Sequence, residues 1–143
     1  MRFQFDDGGR RVALYHGLTG DCVVRAVAIA TQQSYHTVYE ALAGGVRTER
    51  LTKGSRRKAS ARNGVHVRRQ WFKQYMESLG WRWTPTMGIG TGCTTHLREH
   101  ELPAGRIIVS LSKHYAAVVD GVIHDNHDPS RGGMRCVYGY WSK

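Results

Sequence analysis

The chain has 143 residues, 41% of them hydrophobic, a formal charge of +10 and a mean hydropathy of −0.47. That length fits one domain and one core, and the short, interrupted apolar runs exclude a membrane span and a disordered polyelectrolyte. The N-terminal MRFQFDDGGRR has no apolar stretch or small-residue cleavage site, so a secretory signal is not expected and the cytoplasm is the expected location.

Residues 1 to 18 mix Gly, Arg and Asp with a few aromatics and read as an extended arm or edge segment. A first helix is expected to start near Thr19 to Asp21, either of which is a suitable cap, and to run through VVRAVAIATQ. Its broad apolar face, Val23, Val24, Val27, Ala28 and Ala30, predicts burial. Ser34 is a cap for a second helix, where Tyr35, Val38, Tyr39 and Leu42 fall at helical spacing until Gly44-Gly45 is expected to end it.

From Val46 to Val65 there is almost no apolar periodicity, which predicts a mobile basic loop at about 46–65 within a single domain 1–143. Between Arg47 and Lys73 stand ten Lys/Arg and one acid, Glu49. A solvated loop is the plain reading; a contact for nucleic acid or for an acidic protein surface is the sharper one. In VRRQWFKQYMESLG the stripe Trp71, Phe72, Tyr75, Met76 and Leu79 predicts a third helix that ends at Gly80.

Beyond Gly80 the runs WRWTPT, GRIIVSLS, HYAAVV, VIHD and CVYGYW predict strands, with Asp120-Gly121 as a hairpin turn. Helices followed by an antiparallel sheet make an α+β domain. MGIGTGC lacks the GK[ST] ending and the helix of a phosphate loop, and is read instead as bordering the substrate groove, bringing Cys93 or Thr94 near Cys22. Cys22, Cys93 and Cys136 are odd in number and form no CxxC pair, so free thiols are expected.

The chemistry concentrates in two places. A two-residue turn at Asp120-Gly121 sets residue 116 opposite 125 and 114 opposite 127, so alternation puts His114, Ala116 and Val118 on one face with Ile123, Asp125 and His127. His114 and Asp125 become diagonal neighbours, the arrangement in which a carboxylate orients an imidazole. Cys22 at a helix N-terminus supplies a thiol whose pKa the helix dipole and an imidazolium would lower. Cys22, His114 and Asp125 form a nucleophile, base and orienting acid, with Asn126 and Asp128 as alternatives for the last role. His124 and His127 lie on opposite strand faces and no ligand pair sits at i, i+4 on a helix, so neither metal nor other cofactor is expected.

A Cys opening a long helix, then a His opening a strand, then an Asp or Asn ending the next strand is similar to the order in papain-like cysteine peptidases. GDC before an apolar helix, KHYAAVVDG and VIHDNHDP resemble the small bacterial branch that includes bacteriocin-leader (double-glycine) peptidases, and the layout also resembles short phage and bacterial proteins. The resemblance implies a papain-like fold and a thiol hydrolase acting on a peptide or protein substrate, without a membrane partner. The family's oxyanion donor, a Gln six residues before the Cys, is replaced by His16, so His16, Thr19, Gln32 or backbone N–H groups are the candidates for that role. The alternative function is a papain-like scaffold with little turnover that binds a host protein or nucleic acid through its basic face.

Overall fold

The computed structural model describes residues 1–14, 21–49 and 65–143. Most of the expected basic loop, and His16 and Thr19 with it, lie outside the described residues. Helix α1 spans Cys22–Thr31, α2 Tyr35–Arg47 and α3 Gln70–Ser78. Strands are β1 Arg2–Phe5, β2 Arg82–Pro85, β3 Arg106–Leu111, β4 His114–Val119, β5 Val122–Asp125 and β6 Gly139–Ser142. The described residues form an α+β arrangement of three α-helices and one six-stranded sheet in the order β1-β5-β4-β3-β6-β2.

The sheet is mixed where an antiparallel one was expected. Of residues 1–18, expected as an extended arm or edge segment, Arg2–Phe5 forms an edge strand, and it pairs parallel to β5, Arg2 beside Val122 through Phe5 beside Asp125. Composition marks such a segment as extended without fixing its direction, because a distant, separately connected edge accepts either.

The helices cover one face of the sheet. Val24, Val27, Val38, Leu42, Phe72 and Met76 pack with Ile108, Tyr115, Ala117 and Trp141 into the larger core cluster. Ile107, Val109, Leu111, Ala116, Val118 and Ile123 point to the other face, where Leu97 and Val137 close over them. Burial on both faces explains why β3 and β4 read as continuous apolar runs.

Two helix ends depart from expectation. Ser34 caps α2 as its sequence suggests, its Oγ accepting from the Thr37 N–H at 3.1 Å, yet the helix runs through Gly44-Gly45 to Arg47. A Cβ at position 45 would lie 2.1 Å from the Trp71 ring, so Gly45 is the notch that lets α3 approach α2. Asp21 precedes α1 but makes no side-chain cap bond, because its carboxylate is engaged elsewhere.

The turn at Asp120-Gly121 forms as expected. Both residues have positive φ, 48° and 79°, matching a type I′ turn, and the register is Val119–Val122, Val118–Ile123 and Ala117–His124. Ser112-Lys113 makes the preceding turn, with Leu111 opposite His114, and so fixes His114 as the first residue of β4.

Cys93 and Cys136 are disulfide-bonded, correcting the expectation of three free thiols. The Leu97 N–H donates to the Arg135 carbonyl and the Val137 N–H to Thr95, both at 2.8 Å, and this local ladder brings the two cysteines together. Their separation of 43 residues hides the contact from spacing arguments. Cys22 is the free cysteine.

Candidate active site

The open end of the β4–β5 hairpin meets the N-terminus of α1, and there the three residues singled out by order and alternation come together. His114 Nε2 lies 2.6 Å from Asp125 Oδ2. The same ring interacts with the Cys22 thiol, with which it shares a cavity wall, and Nδ1 is the ring nitrogen not engaged by Asp125. The Asp125 side chain is 3% exposed and that of His114 11%, so the pair is largely withdrawn from solvent.

Burial and neighbouring charges act on each group in opposite directions. Burial pushes the Cys22 thiol up, but the bond with His114, the Tyr115 backbone N–H and the charges of His114 and Arg25 outweigh it, and the net shift is down. Burial disfavours the imidazolium of His114, but the bonds and charges of Asp125 and Cys22 overcome that and raise it to about 9. For Asp125, burial is opposed chiefly by the His114 bond, and its pKa falls. The site therefore favours a thiolate, an imidazolium and a carboxylate in a row.

The alternatives for the orienting acid are displaced by geometry. The Asn126 amide oxygen takes hydrogen bonds from Arg25 at 3.4 Å and from His127 Nδ1 at 2.6 Å, and its N–H donates to Asp125 Oδ1 at 2.7 Å. Asp128 accepts from the Ser130 N–H at 2.9 Å and belongs to a turn. Neither bonds His114.

Among the oxyanion candidates, His16 and Thr19 are outside the described residues. Gln32 caps the far end of α1, about 15 Å from Cys22 at 1.5 Å per residue, which removes it from the role. The N–H of Cys22 itself, at the first position of α1, has no intrahelical acceptor and is a donor available for that role among the described residues.

Sequence reasoning missed Asp21 and Arg25. Both are buried, with side chains 0% and 6% exposed. Arg25 binds the Asp21 carboxylate one turn back and also lies 3.4 Å from Asp125 Oδ1. The Tyr35 hydroxyl donates to Asp21 Oδ2 at 2.5 Å, and Arg10 Nε lies 3.4 Å from that oxygen. This buried chain ties the Cys22 helix to the strand end that carries Asp125. Its signal was present: Arg25 interrupts the apolar run VVRAVAIA at a position facing the core.

Comparison with family models, curated proteins and solved structures finds no match. Geometry and chemistry alone bear on what the site does.

Ligand atoms of His114, Asp125 and His127 lie within 4.8 Å of one another, the grouping of potential metal ligands among the described residues. A metal there would compete with the short His114–Asp125 bond. A cavity of about 660 Å³ opens over Cys22 and His114, lined also by Arg68, Lys113, Tyr115 and Tyr138. Cys93 and Thr94 do not line it, contrary to expectation; the glycine-rich loop instead borders the adjoining cavity through Met87, Gly88 and Ile89.

Proposed function

We propose that this chain is a papain-like thiol hydrolase that cleaves peptide or amide bonds. The observation that carries the reading is His114 held between the Cys22 thiol and the Asp125 carboxylate at a cavity mouth. Cys22 as thiolate adds to the acyl carbon, and the oxyanion forms beside the N–H of Cys22 at the start of α1. His114, protonated at Nδ1, gives that proton to the leaving amine as the C–N bond breaks and a thioester remains. Neutral His114 then takes a proton from water, the oxygen adds to the thioester, and the acid departs as the thiolate and imidazolium are restored. Asp125 keeps the ring in place and stabilises its charged form.

Two features support the papain-like assignment: the nucleophile opens a helix packed on the sheet, and the base and orienting acid come from adjacent strands in that chain order. The same groups serve deamidation, isopeptide cleavage or acyl transfer. Mass-spectrometric analysis of a mixed peptide library tests the reading: wild type is expected to yield new termini or deamidated products, and Cys22→Ser to yield none. Identical products from Cys22→Ser and wild type would sink it.

A further inference from the structure

We infer that the groove beside Cys22 accepts an extended, acidic segment of polypeptide followed by an apolar residue. The inference rests on the hydrolase reading above and specifies its substrate. The cavity over Cys22 and a second one of about 900 Å³ share Val67, Arg68, Ser110, Tyr115 and Tyr138 as walls, so they lie side by side along one trough-shaped surface. Each alone is the size of a small-molecule site; together they suit a chain.

Charge along the trough is one-sided. Among the described residues that line the cavity over Cys22 there is no Asp or Glu, and the charge of Arg25 is already balanced by Asp21 and Asp125. Arg68 and Lys113 are exposed there, and neither makes an ion pair among the described residues. Lys73 continues the positive line into the second cavity, where Glu77 is the acid among the described lining residues. An acidic side chain near the reacting carbonyl therefore finds two exposed cations with no ion-pair partner among the described residues.

The far end changes character. Trp83, Pro85, Met87 and Ile89 line it, and Ile89 is fully exposed. An apolar side chain of the bound segment would cover this patch. Polypeptide is favoured over nucleic acid because the thiol needs an acyl carbon.

The test uses Cys22→Ala protein and three fluorescein-labelled octapeptides that end in Leu and carry Glu, Gln or Lys at alternate positions. The Glu peptide is expected to bind about tenfold tighter than the Gln peptide in anisotropy titrations, as two partly screened pairs allow. Arg68→Glu with Lys113→Glu is expected to transfer the preference to the Lys peptide; Arg68→Gln with Lys113→Gln is expected to abolish it. Equal binding of the three peptides overturns the inference, as does displacement of the Glu peptide by a tighter-binding single-stranded oligonucleotide. Wild-type protein separates the two claims. Turnover without charge preference sinks this inference alone, whereas Glu-peptide binding by Cys22→Ala with no turnover by wild type upholds the acidic groove and sinks the hydrolase.

Discussion

His114 is the residue on which the site turns, because it contacts both the nucleophile and the orienting acid. With its pKa raised to about 9, the ring stays protonated above the range where a lowered Cys22 thiol ionises, and the ion pair spans the interval between them. Hydrolysis is expected to rise with pH as the thiolate forms, and to fall above about pH 9 as His114 loses the proton meant for the leaving amine. Asp125→Asn removes the charge that favours the imidazolium, so the falling limb is expected to move to lower pH, read from a pH–rate profile. Arg25 acts on the pair from outside. Arg25→Met removes one charge that lowers Cys22 and leaves Asp21 buried without its main partner, which costs about 3–5 kcal/mol in urea unfolding. The Cys22 ionisation midpoint is expected to shift upward in the same variant, a change that loss of stability alone does not produce. The pairing of His114 with Asp125 was open to sequence reasoning because a two-residue turn converts chain distance into strand register. The ion pair of Asp21 and Arg25 was only half legible: an arginine inside the apolar run VVRAVAIA marks a buried charge, but its contact with position 125 depends on packing that the run does not specify.

Elements were legible where an apolar stripe or an unbroken apolar run ends at a turn residue. The six-residue strands β3 and β4 follow from continuous apolar runs with turns at their ends, and helix α3 from its helical period. The end of α2 did not, since a Gly-Gly pair signals a stop locally and a packing notch only when the neighbouring helix is in view. Gly45→Ala tests that distinction. An added methyl improves intrinsic helix propensity, but here it meets the Trp71 ring at 2.1 Å, so a loss of about 1–3 kcal/mol is expected from overpacking. Stabilisation by thermal or urea unfolding would contradict the notch. Gly44, where a Cβ meets nothing within 4 Å, is the control, and Gly44→Ala is expected to be neutral or stabilising. The parallel pairing of β1 was equally beyond local reasoning, because its partner β5 lies more than a hundred residues along the chain.

At the scale of the whole molecule, one disulfide and one free thiol follow from the long-range packing of residues 93–97 against 135–137. Iodoacetamide is expected to add one equivalent to unreduced protein, and three after denaturation and reduction. Closing a loop of that length contributes about 4 kcal/mol in the chain-entropy account, so Cys136→Ser is expected to lower stability by up to that amount. No helix among the described residues is long and apolar enough to cross a membrane. The excess positive charge falls partly on the groove beside the thiol, where Arg68, Lys73 and Lys113 lie. The central claim is that Cys22 and His114 form an ionised pair, and the pH dependence of Cys22 alkylation in wild type and His114→Ala tests it most directly. The account requires a wild-type midpoint well below the ordinary thiol value of about 8.5, and its return toward or above that value in His114→Ala. A midpoint at or above 8.5 in wild type, unmoved by His114→Ala, would contradict it.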